Sequence, residues 1–298
     1  FSDTVQAGII TIADATTFAS TLTNTGAMTV AGATIVTGVY TGTGAANLDA
    51  QITFSADASF NNATETLMAA AIVFNGDTLT ATGALGLETD GAGAAITFSG
   101  SGNQTLAAKI SPQTTNHIVI TNSNTGGTVT FNDTVGIAGG ALAELIDTDT
   151  GTTSVFKAAA SSVLFTVDGT ATLEENGNQA TNIDLNAAGK IIIDDTVVNG
   201  EKVFTLNTGL VAASVAGTNN IKLPANLSNG QAIELFETVS AGGTGAAGVV
   251  TSVDLAVADT AIRSYKASVT GTRDITVTAT DRSAADIATQ LGATKNVG

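Results

Sequence analysis

The strongest constraint on the fold is a repetition of short strand-like segments along most of the 298-residue chain. The segments are rich in Thr, Val and Ile and end at Gly, Asn, Asp or Ser. Three of them share one form: Ile52–Ala56, Ile96–Gly100 and Val129–Asp133. β-branched residues favour pleated strands, whereas Gly and Asn favour tight turns. The pattern therefore predicts an all-β fold, and no helical periodicity precedes the C-terminal residues.

Phenylalanines recur in these segments at residues 54, 74, 98, 131 and 156, separated by 20, 24, 33 and 25 residues. Repeats of about 20–50 residues are typical of solenoids and arrays. We therefore expect a right-handed parallel β-helix, in which each strand pairs with its equivalent one turn later and apolar side chains stack inside. A β-sandwich built from repeats is the alternative, since its short strands and turns look similar in sequence.

The pattern of strand-like segments changes near residue 200. Beyond it the segments are longer and more regularly amphipathic. We expect β-solenoid rungs over residues 1–200 and a C-terminal β cap region over residues 201–298. Inside the cap region, apolar residues recur at helical spacing between a suitable N-cap, Ser283, and a helix-ending Gly292. This pattern predicts one short helix at about 283–291, which would cover exposed strand edges at the end of the solenoid.

The charge balance excludes some partners. The chain has 10 Lys and Arg against 26 Asp and Glu, a net charge of −16, and its first basic residue is Lys109. Nucleic acid is not expected as a partner, because phosphate binding requires Lys and Arg. Membrane insertion is not expected either, because no apolar run approaches the ~18 residues that a helix needs to span a bilayer. The absence of cysteine excludes disulfides and thiolate metal sites.

No residue pattern predicts catalysis, so we expect a protein that is not an enzyme, with no catalytic or cofactor-binding residues. The sole histidine, His117, is expected to be structural. Polysaccharide hydrolases use paired carboxylates, and β-helices often carry such hydrolases or lyases. An enzyme of this type is therefore an alternative, although the chain has no Trp and two Tyr for stacking on sugars. The candidate pairs are Asp147 with Asp149, Glu174 with Glu175, and Asp194 with Asp195.

Calcium is the one metal ion for which the sequence offers hard oxygen ligands. Asp147, Asp149 and Gly151 form a D-x-D-x-G fragment, but the remaining positions of an EF-hand loop are missing. We therefore predict no bound metal and interpret the fragment as a solvated acidic turn. Asp147 and Asp149 are the candidates if calcium does bind.

The C-terminal residues carry family-like motifs. Gly230–Leu235 has the form G-Q-x-hydrophobic-x-L, and a strand pair follows at Tyr265–Val269 and Asp274–Ala279, with a Gly-Thr turn before the second strand and Arg282 after it. Mainly in residues 230–298, the chain resembles the passenger domain of bacterial autotransporters (type V secretion), in the style of large rickettsial-type surface antigens. In that family a membrane translocator follows the passenger. None follows Gly298, so we expect either a processed end there or a protein outside this family.

The resemblance implies a β-helical passenger that is exported through the outer membrane to the bacterial surface or beyond. We therefore expect a non-enzymatic, extracellular structural or adhesive protein. It would be a rod that can self-associate into filaments and contact a host or neighbouring cell. A calcium-dependent surface-layer lattice protein is a further alternative to the β-helical hydrolase or lyase.

Overall fold

The structure, a computed structural model, contains only β-strands as regular elements in the residues it describes. It describes residues 1–61, 66–68, 70–83, 85–87, 94–112, 118–136 and 143–174, and further along the chain the backbone of individual strands between residues 179 and 281. Three sheets of 12, 6 and 14 strands are called face A, face B and face C below. Nearly every strand pairs in parallel with its equivalent one turn later. The fold is therefore the expected parallel β-helix, and the alternative of a β-sandwich is wrong.

The strands are numbered in chain order. Face A contains β1 (Val5–Ala7), β4 (Leu22–Asn24), β7 (Tyr40–Gly42), β10 (Ala58–Phe60), β13 (Thr78–Ala81), β16 (Gln104–Ala107), β19 (Thr128–Phe131), β21 (Thr153–Phe156), β23 (Thr170–Leu173), β25 (Lys190–Ile193), β28 (Asn220–Leu223) and β30 (Val253–Leu255). Face B contains β2 (Ile10–Ile12), β5 (Met28–Val30), β8 (Ala46–Leu48), β11 (Thr66–Met68), β14 (Leu85–Leu87) and β17 (Ile110–Pro112). Face C contains β3 (Thr16–Phe18), β6 (Thr34–Val36), β9 (Ile52–Phe54), β12 (Ile72–Phe74), β15 (Ala95–Phe98), β18 (Val119–Asn122), β20 (Ala143–Thr148), β22 (Ser161–Val167), β24 (Gln179–Leu185), β26 (Val203–Thr208), β27 (Val211–Ala213), β29 (Ala232–Glu237), β31 (Arg263–Thr270) and β32 (Asp274–Asp281).

The first turns are built from a repeated short unit. Strands β3 to β10 begin at residues 16, 22, 28, 34, 40, 46, 52 and 58, and Leu22 pairs with Tyr40, so three units make one turn. In each unit, half of the residues form the strand and half form the corner. From β4 to β10, the first and third strand residues are buried and the middle one is more exposed, because side chains alternate across a strand.

Later turns are longer. Leu79 pairs with Leu106, and Val129 pairs with Ser154, so both turns contain more residues than the turn from Leu22 to Tyr40. Strands β13 to β19 remain as short as three or four residues, so the additional residues lie between strands. The irregular repeat length seen in the sequence therefore comes from the corners, while the strands keep their register.

A column of phenylalanine rings runs through the core. Phe54, Phe74 and Phe98 are in register on face C, which confirms that the first two phenylalanine spacings are single turns. The third spacing is not a single turn, because Phe131 lies on face A, in register with Phe156. The rings of Phe98 and Phe131 still meet inside the coil, with centroids 5.5 Å apart. The aromatic column therefore passes from one face to another without a break.

The cross-section changes after residue 112. β17 is the last face B strand among the described residues, and the third side continues as isolated parallel bridges that join Ile110 to Val135 and Val135 to Ala160. Face C strands lengthen at the same point, to six residues in β20 and seven in β22. Val135 and Ala160 are buried, so the core stays closed while two faces carry most of the pairing.

Face C ends in an antiparallel hairpin. β32 pairs antiparallel with β29, and β31 pairs antiparallel with β32. The two strands expected at Tyr265–Val269 and Asp274–Ala279 lie within β31 and β32. Because the direction reverses twice, β31 runs parallel to β29 and to the rest of face C.

Three further expectations concern the C-terminal helix, the boundary near residue 200 and the handedness of the coil, and the structure tests none of them. The helix expected at about 283–291 lies outside the described residues. The boundary near residue 200 stays a prediction, and parallel pairing continues across it from β24 to β26. The right-handed sense of the coil also stays a prediction, in line with the general handedness of parallel crossovers. Among the residues that the structure describes, no helix has the length and apolar character to cross a membrane.

Candidate functional site

Three aspartates gather at the corner that leads from face C to face A, where β20 and β22 end. Asp147 lies near the end of β20, and Asp149 is the first residue after that strand. Asp168 takes the same corner position one turn later. The two corners are equivalent because the Asp149 N–H donates to the Asn122 carbonyl (3.0 Å) and the Asp168 N–H donates to the Thr148 carbonyl (2.8 Å). Asp147, Asp149 and Asp168 are called the acidic corner below.

The D-x-D-x-G fragment forms a turn that is closed by its own backbone. The Asp149 carbonyl accepts hydrogen bonds from the Thr152 N–H at 3.1 Å and from the Thr152 hydroxyl at 2.6 Å. Gly151 has φ of +78°, a conformation that glycine adopts without a steric penalty. The glycine in this motif is therefore explained by the turn.

The carboxylates of the acidic corner have different surroundings. The Asp149 Oδ2 atom accepts a hydrogen bond from the Ser123 hydroxyl, which lies in the equivalent corner one turn earlier. Asp147 is in register between Thr121 and Thr166 on face C. Its Oδ1 atom is buried and has no hydrogen-bond partner in the described structure. Asp147 therefore lacks at Oδ1 the kind of hydrogen bond that Asp149 has at Oδ2.

This environment changes the acidity of Asp147. Burial, with smaller contributions from the negative charges of Asp149 and Asp168, raises the pKa of the Asp147 carboxyl to about 6. Both effects disfavour the charged form, because desolvation and like charges each favour protonation of an acid. Asp147 therefore changes its protonation state in mildly acidic solution.

The acidic corner is not a ready-made metal centre. Calcium in proteins takes about six to eight oxygen ligands. Among the described residues, no group of three or more His, Asp or Glu side chains could hold a metal ion. The structure brings Asp147 and Asp149 to one corner, but the Asp149 side chain is bound by Ser123. The prediction of no bound metal, with Asp147 and Asp149 as the candidates if calcium does bind, stays a prediction.

The other candidate residues are only partly described. Glu174 directly follows β23, and its N–H donates to the Phe156 carbonyl at 2.8 Å, which places it at a corner leading away from face A. Its neighbour Glu175 lies outside the described residues, as do Asp194 and Asp195. His117 also lies outside them. The structure therefore leaves the pairs at 174–175 and 194–195 untested.

A buried polar column is the feature that sequence reasoning missed. It runs along the corner between faces C and A, parallel to the phenylalanine column, and its members are Gln104, Asn122, Asn124, Thr148 and Ser154, each exposed by no more than 1%. Asn124 Nδ2 donates to Gln104 Oε1 at 2.9 Å, and Asn122 Nδ2 donates to the Ser154 hydroxyl at 2.9 Å. The column therefore links three successive turns through side chains.

Gln104 shows how completely the column is bonded. Its Nε2 atom donates to the carbonyls of Phe74 (3.0 Å) and Gly76 (2.9 Å). Its Oε1 atom accepts from Asn124 and from the Gly100 N–H (3.2 Å). A glutamine amide has two donor hydrogens and two acceptor lone pairs, so all its capacity is used. The TNSNT run at residues 121–125 was a usable signal, because Asn is unfavourable in strands unless its amide is bonded.

Face A presents two outward columns rich in threonine between β16 and β23. One column contains Thr128, Thr153 and Thr170 in register, and the other contains Thr105, Thr130, Val155 and Thr172. These side chains are partly exposed. The columns therefore offer a flat surface of hydroxyl and methyl groups at a regular spacing.

Comparison with known proteins gives no relative for this chain: no family model, no curated protein and no solved structure matches it. The resemblance to autotransporter passengers therefore stays a prediction drawn from residues 230–298. The fold itself rests on the strand pairing described above.

Proposed function

We propose that this chain is a non-enzymatic rod of a bacterial surface protein, which acts outside the cell as a structural spacer and adhesin and can associate with copies of itself. The observation that supports this proposal most is the unbroken stack of parallel strands. Face A stacks 12 strands, which at about 4.8 Å per strand corresponds to a rod about 50 Å long. Stiffness follows from backbone hydrogen bonds directed along the axis and from side chains stacked inside.

The surface properties fit this role. A net charge of −16 favours solubility of the rod outside the cell. The threonine-rich columns of face A are flat and polar, and their partly exposed hydroxyl groups can contact a partner. In autotransporters, which the C-terminal motifs resemble, such a rod is carried to the cell surface. These observations support a surface role.

The first experiment tests the rod and its adhesive role together. Small-angle scattering of the purified 298-residue chain is expected to give an elongated particle with the cross-section of a single β-helix. Beads coated with the chain are expected to bind cell monolayers more than beads coated with heat-unfolded chain. A compact globular particle would contradict the rod, and equal bead binding would contradict the adhesin.

The alternative of a polysaccharide hydrolase is favoured by one specific observation, the raised pKa of Asp147 beside Asp149. A general acid with a raised pKa and an ionised neighbour is the pattern of many glycosidases. The test is a screen of acidic and neutral polysaccharides with the native chain and with Asp147→Asn. Cleavage by the native chain that is lost in the variant would replace the rod proposal with an enzyme, whereas equal inactivity would support the rod.

A chelator distinguishes the proposed rod from the alternative of a calcium-dependent surface-layer protein. A calcium-dependent lattice would dissociate when EDTA is added, and electron microscopy would show sheets before and single particles after. The rod proposal predicts no change in particle shape with EDTA. The same grids also distinguish single rods from filaments.

A further inference from the structure

The corner that leads from face C to face A contains the one Asn-Gly pair among the described residues, Asn75 followed by Gly76. Further Asn-Gly pairs, at 176–177, 199–200 and 229–230, lie outside those residues. Asn75 is the first residue after β12, and it is exposed to solvent. Asparagine loses ammonia most readily before glycine, because glycine has no side chain to shield its nitrogen from the asparagine amide. The pair therefore places a reactive amide on the outside of the coil.

The packing of adjacent turns requires the glycine of this pair. A Cβ atom on Gly76 would overlap the backbone of Ala56, which lies one turn earlier. The Gly76 carbonyl accepts a hydrogen bond from Gln104 Nε2 at 2.9 Å, so the residue is also held by the buried polar column. Close backbone approach is a position that glycine fits and larger residues do not. The contacts of the fold therefore keep a glycine directly after Asn75.

The side-chain carbonyl of Asn75 is polarised by a neighbour. The Ser99 hydroxyl donates a hydrogen bond to Asn75 Oδ1. Ser99 is the equivalent corner residue one turn later. The Asn75 N–H donates to the Phe54 carbonyl at 2.8 Å, and the Ser99 N–H donates to the Phe74 carbonyl at 3.1 Å. A donor at an amide oxygen stabilises the negative charge that develops there when a nucleophile attacks the carbon. Ser99 is therefore positioned to assist attack at Asn75 Cγ.

The nitrogen that would attack is also available. In the next turn, the equivalent Gly100 N–H donates to Gln104 Oε1 at 3.2 Å. One turn further, the equivalent Asn124 N–H donates to Asn122 Oδ1 at 2.9 Å. The Gly76 N–H has no such acceptor among the described residues. The Gly76 nitrogen can therefore approach the side chain before it without the loss of a hydrogen bond to any of them.

The same column of corner residues already accommodates an aspartate. Asp149 is the first residue after β20, as Asn75 is the first after β12. Its Oδ2 atom accepts a hydrogen bond from the hydroxyl of Ser123, its equivalent one turn earlier. An aspartate at residue 75 would accept from Ser99 in the same way. The corner therefore offers a hydrogen-bond donor to the product of deamidation.

We propose that Asn75 is a deamidation site and that the folded chain assists the reaction through Ser99. The Gly76 nitrogen attacks Asn75 Cγ and the Cγ–Nδ2 bond breaks. Ammonia leaves with the proton from the Gly76 nitrogen, and a succinimide ring remains. Water then adds to either ring carbonyl and gives aspartate or isoaspartate, so the reaction needs no oxidant and no enzyme. The inference does not depend on the proposed rod function, and it gives the chain a slow gain of negative charge at a defined corner.

Peptide mapping by mass spectrometry tests the site in the full chain. The native protein is incubated in mildly alkaline buffer at body temperature, and aspartate and isoaspartate are measured at each asparagine. We expect conversion at Asn75. The exposed Asn61, Asn103 and Asn132, which no glycine follows, should remain asparagine over the same time. Conversion of residue 75 in the urea-unfolded chain but not in the folded chain would overturn the proposal, because the fold would then protect the site.

Two serine variants test the assistance. Ser99→Ala removes the donor to Asn75 Oδ1 and should slow conversion in the folded chain by about fivefold, the effect of one hydrogen bond on a rate. The matched control, Ser123→Ala, removes the equivalent hydroxyl beside Asp149 and should leave the rate at residue 75 unchanged. In urea, both variants should convert at the native rate. Equal rates for the folded native and Ser99→Ala chains, with equal circular dichroism spectra, would overturn the role of Ser99. Neither result would affect the proposed rod.

Discussion

The turns between residues 5 and 60 and the turns between residues 94 and 174 close the same kind of coil by different means. The first set uses three short strands per turn and a core of apolar side chains. The second set relies on two faces with longer strands, single bridges on the third side, and a buried polar column. Where the repeat is strict, three-residue strands with apolar side chains are enough to close each turn of the coil. Where the turns vary in length, buried side-chain hydrogen bonds accompany them and fix one strand register.

The first set contains one comparable polar contact. The Tyr40 hydroxyl donates to Asn24 Oδ1 at 2.9 Å inside the core, and Asn24 Nδ2 donates to the Gly26 carbonyl at 2.6 Å. In the second set, Gln104, Asn122 and Asn124 connect several turns. Buried amides stabilise only when each donor and acceptor has a partner, and they then disfavour other registers. The comparison predicts that the first region is sensitive to the length of its repeat and the second to the identity of its polar residues.

The largest effect is expected from the length of a deletion in the first region. Removal of residues 24–41 takes out one whole turn together with both partners of the Tyr40–Asn24 hydrogen bond, and joins Thr23 to Gly42. The shortened chain is expected to fold, because every later strand still finds its equivalent one turn away. Removal of residues 24–29 deletes only one side of a turn, so the strands before the deletion meet strands of a different face in the next turn. We expect this smaller deletion to abolish cooperative unfolding of the N-terminal turns, as measured by circular dichroism and hydrogen exchange. A fully folded 24–29 deletion would contradict the three-sided repeat.

The second largest effect concerns the polar column. Gln104→Leu removes four side-chain hydrogen bonds, two of which are to the buried Gly76 carbonyl and the buried Asn124 amide, so we expect a loss of about 2–4 kcal/mol in the free energy of unfolding. Gln6→Leu makes the same chemical change on an exposed face A position and should cost less than about 0.5 kcal/mol. Denaturant unfolding of both variants measures the difference. Equal effects would show that the column does not fix the register.

The third effect concerns glycines that stack at the corner between faces A and B. A Cβ atom on Gly44 would overlap the Gly26 carbonyl, whereas a Cβ atom on Gly8 has open space around it. Gly44→Ala is expected to lower the free energy of unfolding by about 1–3 kcal/mol, because the backbones of adjacent turns must separate. Gly8→Ala is the matched control in the same column and should be nearly neutral. A neutral Gly44→Ala would indicate that adjacent turns can separate freely.

The smallest effect is a pH dependence in the second region. Because the pKa of Asp147 is raised to about 6 from an ordinary value near ~3.9, the folded chain binds this proton more tightly than the unfolded chain. Its contribution to stability is present below pH ~4 and is lost as pH rises to about 6. Asp147→Asn should therefore be more stable than the native chain at pH 7.5, by about 1 kcal/mol after allowance for solvent screening, and equal to it at pH 4. The control is Asp14→Asn at an exposed corner. A stability difference that does not change between pH 4 and pH 7.5 would contradict the role of the Asp147 proton.

The sequence was sufficient for the class of fold and for part of its register. Short Thr-rich and Val-rich segments between Gly and Asn turns predicted a parallel β-helix, and Phe54, Phe74 and Phe98 marked single turns. The step from Phe98 to Phe131 was misleading, because Phe131 belongs to a different face. The same residue types stack on every face of a β-helix. The spacing between two phenylalanines therefore does not show whether they lie one full turn apart on the same face or one turn and one further face apart.

The candidate site was predictable only in part. Asp147 and Asp149 are neighbours in sequence, but Asp168 joins them because Thr148 pairs with Val167 in the following turn. The length of that turn was not evident from composition. The inward direction of Gln104 and Asn122 also depends on how each corner resets the alternation of side chains. A corner that is one residue longer or shorter reverses which of the following residues point inside. The sequence does not mark where this happens.

The short repeated unit of the first turns has a consequence for how such a gene can change. Each turn contacts mainly its neighbours, and Leu22, Tyr40 and Ala58 occupy equivalent positions on face A. A duplication or loss of one whole turn leaves every remaining contact in place, so selection can tolerate it. Recombination that adds one or two sides joins the preceding turn to the wrong faces of the following one, so the contacts across that junction are lost and selection acts against it. The evolutionary length of this rod is therefore expected to vary in whole turns, so that related chains would differ by multiples of one repeat in this region.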